Sequence, residues 1–283
     1  MKRIYARRNP SLLVFTDLDG TLLDHKTYSF APALPVLHTL EERNIPVIFC
    51  TSKTRAETEM FRRELHNTHP FISENGGAVY IPKDYFPHNF PYTKKNADYL
   101  TIELGTPYPR LRKAFLEMKS RFPDTMTGFG DLSSEEVADL CGIPPSYAEL
   151  AKQREYDEPF LLKAKTLEGP VRKMAEEANL QVTQGGRFYH LMGNNDKGKA
   201  VRLLKNLYKK KSRNLKAIAL GDNLNDLPML EAADFPVLIQ KPDGSYDPSV
   251  KLAHLTYAPD CGPAGWSKAL CELLQKLSGG LQQ

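Results

Sequence analysis

The chain has 283 residues, of which 41% are hydrophobic, 25% charged and 10% aromatic, proportions that exclude disordered, collagen-like and low-complexity classes. Its 38 basic and 34 acidic residues leave a net charge of +4, which suits a small anionic substrate and is too slight to indicate nucleic acid. No apolar run approaches the roughly 20 residues that span a bilayer, and the basic start Lys2, Arg3, Arg7, Arg8 lacks the apolar region of a secretory signal, so a cytoplasmic protein is expected.

The first apolar run, Leu12–Phe15, reads as a buried strand. It leads into Asp17-Leu18-Asp19-Gly20-Thr21, which sets two carboxylates at the carboxyl edge of a sheet, where open α/β folds bind ligands. Gly20 permits the sharp turn away from the sheet. Two poorly solvated carboxylates repel each other, so a cation should hold them, and magnesium, hard and oxygen-seeking, is the natural candidate. A helix is expected over about 33–43, then a strand at Pro46–Cys50. Thr51-Ser52-Lys53 follows that strand, so a hydroxyl, backbone N–H groups and the start of the amphipathic stretch Arg55–His66 face the same edge. A third strand ends near Ile72. Short apolar runs alternating with helices indicate a doubly wound parallel sheet.

Between about 83 and 190 the texture changes. Aromatic and Pro-rich residues (Tyr85, Phe86, Pro87, Phe90, Pro91, Tyr92) precede Tyr99–Leu104, which alternates like a half-exposed strand. Ser133-Ser134-Glu135-Glu136 is a capping box, Pro144-Pro145 breaks the helix it opens, and Ser146 is expected to cap the next. Leu180–Thr183 and Arg187–Leu191, joined through Gly185-Gly186, read as a β-hairpin. An inserted α+β domain is therefore expected at 84–190, with the core formed by 1–83 and 191–283.

The alternation then returns. Lys197 opens a helix to about Tyr208, and the basic run Lys209-Lys210-Lys211-Ser212-Arg213 suits that helix's C-terminus. Leu215–Leu220 is a strand followed by Gly221-Asp222-Asn223-Leu224-Asn225-Asp226, a second acidic cluster. Side-by-side strands would bring Asp17, Asp19 and Asp222 to one point. A short helix over Asn225–Ala232, a strand at Phe235–Ile239 and an amphipathic helix over Pro263–Leu277 carrying Trp266 complete the chain. The four cysteines, Cys50, Cys141, Cys261 and Cys271, form no CxxC pair. Gly193–Ala200 nearly spells a P-loop but has Ala200 where a hydroxyl is required.

Asp-x-Asp-Gly-Thr, then Thr51-Ser52, then Lys197, then Gly221-Asp222 with Asp226, in that order, resemble the haloacid dehalogenase (HAD) phosphatase superfamily, and the insert resembles its α/β cap. The resemblance implies a magnesium-dependent phosphohydrolase working through an aspartyl-phosphate. It implies Asp17 as nucleophile and Asp19 as general acid and base. Thr51, Ser52 and Lys197 would bind the phosphoryl group. Asp17, the Asp19 backbone carbonyl and Asp222 would hold the metal, supported by Asp226. Within the superfamily, Thr51-Ser52-Lys53-Thr54, Ile72–Gly77, Gly128–Ser133, Arg154–Phe160 and Gln184–Leu191 are similar to the mannosyl-3-phosphoglycerate phosphatase family. The implied substrate is a phosphorylated sugar acid, its carboxylate matched by Arg187 and its hydroxyls by Glu74 and Asn75, with Lys53 at the rim. Glucosyl-3-phosphoglycerate, sucrose phosphate or a hexose phosphate are alternative substrates, and a phosphomutase is the alternative reaction.

Overall fold

The computed structural model describes residues 10–210, 212 and 214–279. The basic start Lys2–Arg8 and two members of the later basic run, Lys211 and Arg213, lie outside the described residues. The chain enters with β1 (Leu12–Thr16), passes through α1 (Leu34–Glu42) to β2 (Val47–Phe49) and α2 (Arg55–Glu64), and reaches β3 (Phe71–Ser73). Next come β4 (Ala78–Pro82), β5 (Lys94–Lys95) and β6 (Tyr99–Glu103). An α+β stretch follows: α3 (Tyr108–Arg121), β7 (Met126–Gly128), α4 (Ser134–Cys141), α5 (Pro145–Ala151), β8 (Asp157–Leu162), α6 (Glu168–Glu177), β9 (Gln181–Gly185) and β10 (Phe188–Met192). The last part holds α7 (Lys197–Lys209), β11 (Lys216–Gly221), α8 (Leu227–Glu231), β12 (Phe235–Gln240), β13 (Thr256–Cys261) and α9 (Gly262–Gly279).

The central sheet runs β13-β12-β11-β1-β2, all parallel. Its middle pair joins distant parts of the chain, from Leu12 opposite Lys216 to Thr16 opposite Leu220. Alternation along β1 sorts its side chains between two faces. Leu12 and Val14 pack with Ile218 and with Trp266 and Leu270 of α9, while Leu13 and Phe15 pack with Ala217, Ala219 and Ala200 and Leu204 of α7. Both faces are covered, which is why these strands read as unbroken apolar runs. Trp266 is fully buried and its indole N–H donates to the Thr16 hydroxyl at 3.0 Å.

A second sheet, β3-β4-β6-β5, is antiparallel and meets the first through the bridge between Cys50 and Ile72. The expected boundary at residue 84 runs between β4 and β6, which pair from Ala78 opposite Glu103 to Pro82 opposite Tyr99. The aromatic stretch after β4 stays on the core: Phe86 stacks edge-on against Tyr208 of α7 at 4.9 Å between ring centres. The change in composition there marks a crowded aromatic contact between α7 and the segment after β4.

The third sheet, β7-β8-β10-β9, is antiparallel and carries its own apolar cluster, in which Leu111, Phe115, Val171 and Ala175 of α3 and α6 cover Phe160, Tyr189 and Leu191. The β9–β10 hairpin turns at Gly186, whose φ of +57° is left-handed. Ser133 caps α4 as expected, accepting the Glu136 N–H at 3.1 Å. Ser146 does not cap α5: Pro144 occupies that place and Pro145 opens the helix, a position where the missing N–H costs nothing. Among the described residues no helix is long and apolar enough to cross a membrane.

Thr54 caps α2 in a closed box, accepting the Glu57 N–H at 3.1 Å while Glu57 accepts the Thr54 N–H at 2.9 Å. Its hydroxyl also donates to the Leu150 carbonyl at 2.9 Å. Thr54→Ala is expected to lower stability by about 1–2 kcal/mol, read as a lower midpoint in denaturant unfolding. An unchanged midpoint would mean that water replaces the cap.

Candidate active site

The strand ends β1 and β11 lie next to one another, and the Asp17 N–H still donates to the Leu220 carbonyl at 2.9 Å. That pairing sets Asp17 beside Asp222. Asp17, Asp222 and Asp226 are all buried, and each offers a carboxylate oxygen within 4.8 Å of the others. Gly20, at φ +71°, lets the chain pass tightly here, since a Cβ on it would meet the Asp222 carboxylate at 2.9 Å. Asp226 is oriented by its Oδ2, which accepts the N–H groups of Asp222 and Asn223 at 3.0 and 3.1 Å. The Asn223 amide donates to Asp222 Oδ2 at 2.6 Å.

Lys197 enters from the first turn of α7, where Asp196 caps the helix by accepting the Lys199 N–H at 2.7 Å. Its buried ammonium donates to Asp17 Oδ1 at 2.7 Å and to Asp226 Oδ1 at 2.6 Å. Burial pushes the Asp17 carboxyl up to about 7, against the pull of Lys197 and with the help of Asp226 and Asp19. Burial, then Asp226 and Asp17, push Asp222 well above the carboxylate range. Burial would lower the Lys197 ammonium, yet Asp17 and Asp226 overcome it and hold the group above its usual value. Three buried carboxylates against one ammonium leave the cluster short of positive charge, and every donor in it is an oxygen. A hard divalent cation fits that donor set.

Asp19 stands apart from this cluster. Its carboxylate turns to Lys53, whose ammonium lies 3.0 Å from it and 3.5 Å from Glu57. The Lys53 cation sits over the Tyr28 ring at 4.8 Å. The expected convergence of Asp17, Asp19 and Asp222 is thus met by Asp17 and Asp222, joined by Asp226, while the Asp19 carboxylate turns to Lys53. Thr51 is fully buried at the end of β2 and its hydroxyl accepts the Lys53 N–H at 3.2 Å, which closes the turn through Ser52.

A cleft of about 190 Å³ joins these groups to the α+β stretch: Asp17, Asp19 and Lys53 line it together with Arg154, Arg187 and His190. A larger cavity, about 280 Å³, opens beside Ile45 and Tyr208, and none of the acidic cluster lines it. Arg187 is exposed at the cleft's rim and donates to the Leu140 carbonyl at 2.6 Å. Glu74 and Asn75 do not line the cleft. Both have left-handed φ, +47° and +54°, and form a knuckle that turns inward. Glu74 is fully buried and accepts the N–H groups of Glu155 at 3.0 Å and Tyr156 at 2.8 Å. Asn75 accepts from the Asn225 amide at 3.1 Å, while its backbone carbonyl accepts from Asn195 at 3.2 Å. Both residues fasten neighbouring loops, a use that a turn-like sequence does not distinguish from sugar binding.

Sequence reasoning missed Arg154, His190 and Asn225. The signal for His190 is alternation along β10, where Tyr189 and Leu191 belong to the apolar cluster and His190 points the other way. Its Nδ1 lies 2.7 Å from Asp157 Oδ2. Arg154 opens the segment Arg154–Phe160 that carries the family resemblance, but its place at the site follows from the way this segment docks on the turn after β2.

The haloacid dehalogenase-like hydrolase family model matches residues 14–104 and 161–243. A glucosyl-3-phosphoglycerate/mannosyl-3-phosphoglycerate phosphatase of Methanococcoides burtonii is 49% identical over 265 residues, 93% of this chain and 97% of the relative. A mannosyl-3-phosphoglycerate phosphatase of Pyrococcus furiosus is 39% identical, covering 80% of this chain and 90% of its own. Among solved structures, a protein of Thermoplasma acidophilum superposes with a TM-score of 0.66 at 19% identity, over 92% of this chain and 96% of that one. A subclass IIB sugar phosphatase of the HAD superfamily gives 0.64 at 16%, over 92% and 98%. These two likenesses establish the shared α/β fold.

Proposed function

The chain belongs to the haloacid dehalogenase-like hydrolases, and we propose that it is a magnesium-dependent phosphatase that hydrolyses 2-O-(α-mannosyl)-3-phosphoglycerate, and the glucosyl compound with it, through an aspartyl-phosphate. The observation that carries the reading is the buried Asp17–Asp222–Asp226 cluster clamped by Lys197 at the joined ends of β1 and β11. The substrate class rests on the relatives' names and on a cleft wall that offers two arginines to a second anion.

In this reading an Asp17 oxygen attacks phosphorus, the bond to the leaving alcohol breaks, and Asp19 gives that oxygen its proton. Water then attacks the phosphorus, Asp19 takes the proton, and the acyl-phosphate bond breaks to release phosphate and restore Asp17. Lys197, with Thr51 and Ser52 at the end of β2, neutralises and orients the phosphoryl oxygens. Lys53 keeps the Asp19 carboxylate turned away from the cluster, towards the cleft they both line. A bound magnesium ion would supply Lewis-acid stabilisation of the charge building on those oxygens. The stretch from α3 to β10 acts as the cap that reads the rest of the substrate.

The test is phosphate release from the mannosyl and glucosyl compounds beside a panel of hexose phosphates and sucrose phosphate. EDTA is expected to abolish release and magnesium to restore it, with the two phosphoglycerate compounds preferred. Equal rates across the panel would discard the substrate. An isomerised sugar phosphate in place of free phosphate would make the enzyme a mutase.

A further inference from the structure

Arg154 lies on the segment between α5 and β8, and only 6% of its side chain is exposed. Its Nε–H donates to the Ala151 carbonyl at 2.7 Å, and its Nη1 donates to the Ser52 carbonyl at 2.9 Å. The guanidinium thus touches the same turn that offers Thr51 and Ser52 to a phosphoryl group. Its nearest carboxylates are beyond hydrogen-bond reach, Asp157 at 3.8 Å and Glu57 at 4.0 Å. Each of these acids is engaged elsewhere, Glu57 with the Thr54 N–H at 2.9 Å and Asp157 with His190 at 2.7 Å. Arg112 and Arg55 differ. Arg112 is ion-paired to Glu158 at 3.0 Å, and Arg55 to Glu155 at 2.8 Å.

A guanidinium carries five donors in a rigid fork. Two contacts to carbonyls fix the Arg154 fork in place, while its Nη2 makes no hydrogen bond among the described residues, and the residue lines the cleft that Asp17 lines. Two acids at about 4 Å offset the cost of burying the cation and leave its fork unspent. The site is therefore built for a planar anion beside the phosphoryl position.

Resting on the phosphatase reading above, we propose that Arg154 determines specificity by binding a carboxylate carried on the same short carbon unit as the phosphate. Arg187 is a weaker candidate for that role, since it is exposed and its fork is not held in place by burial. A 2-O-glycoside of 3-phosphoglycerate presents the matching pair, a phosphate at one end of its carbon chain and a carboxylate at the other.

The test compares mannosyl-3-phosphoglycerate with its methyl ester, which removes the charge and keeps the remainder of the molecule. The native enzyme is expected to prefer the acid by roughly 10- to 100-fold in kcat/KM. In Arg154→Gln that preference should fall to within roughly threefold, the loss residing in KM for the acid. Arg154→Lys, which keeps the charge that offsets Glu57 and Asp157, should fall between the two and serves if the glutamine variant does not fold. A purely structural role for Arg154 would lower kcat/KM for acid and ester by the same factor, and an unchanged ratio in the folded variants overturns the proposal. Absence of Asp17-dependent phosphate release from both compounds in the native protein would overturn the phosphatase reading, and this inference with it.

Discussion

Replacing Asp17 with Asn is expected to lower phosphate release by roughly 10⁴-fold or more and to leave the fold intact. The amide has no anionic oxygen to attack phosphorus, so the covalent route closes. Asparagine has nearly the same shape, and its carbonyl oxygen can still accept from the Lys197 ammonium, now 2.7 Å from Asp17 Oδ1. The backbone pairing that places residue 17, the N–H donated to the Leu220 carbonyl, does not involve the side chain. Phosphate release and a thermal melt on the same preparation check both halves. A variant that keeps near-native turnover would remove Asp17 from the mechanism.

The second large effect is on Lys197. Lys197→Met takes the only ammonium that, among the described residues, is bonded to this cluster away from two buried carboxylates, Asp17 and Asp226. Breaking a buried ion pair from one side leaves charge without compensation and costs about 3–5 kcal/mol. Unfolding in urea with EDTA present should therefore show a marked loss of stability. Magnesium should return part of it, because a cation that binds the folded cluster stabilises it by mass action. Activity should not return with it, since the phosphoryl oxygens have lost their fixed positive partner. An unfolding midpoint equal to that of the native protein in EDTA would show that the cluster does not depend on Lys197.

What could be read from the chain divides along the nature of the signal. β1, β2, β11 and β12 are buried on both faces and announce themselves as apolar runs, and the acidic turns after β1 and β11 are legible because each follows such a run. Capping chemistry is equally local, which is why Ser133 was identifiable and why Ser146, beside two prolines, misled. α3 has Leu111, Phe115 and Met118 at helical spacing, and Pro109 falls in its first turn, where a missing N–H costs nothing. Glu74 and Arg154 are a different case. Their roles depend on which backbone groups another segment brings to them, and no pattern within a few residues encodes that. The boundary near residue 84 shows the same limit: a change of composition was visible, but not that β6 would return to pair with β4.

The pairing of β1 with β11 has a consequence for how the protein comes to be folded. Leu12 must wait for Lys216 before the middle of its sheet exists, and everything between them is a loop to be closed. Such closure is slow, because chain entropy is lost before the contact repays it. The stretch from α3 to β10, with its own apolar cluster, can collapse first and draw its two ends together, shortening the loop that remains. Asp17 lies at the far end of that process, and its partners Asp222 and Asp226 emerge late. A cation held by this cluster would therefore bind only after β11 has joined β1, since two of its three carboxylates follow β11 in the chain.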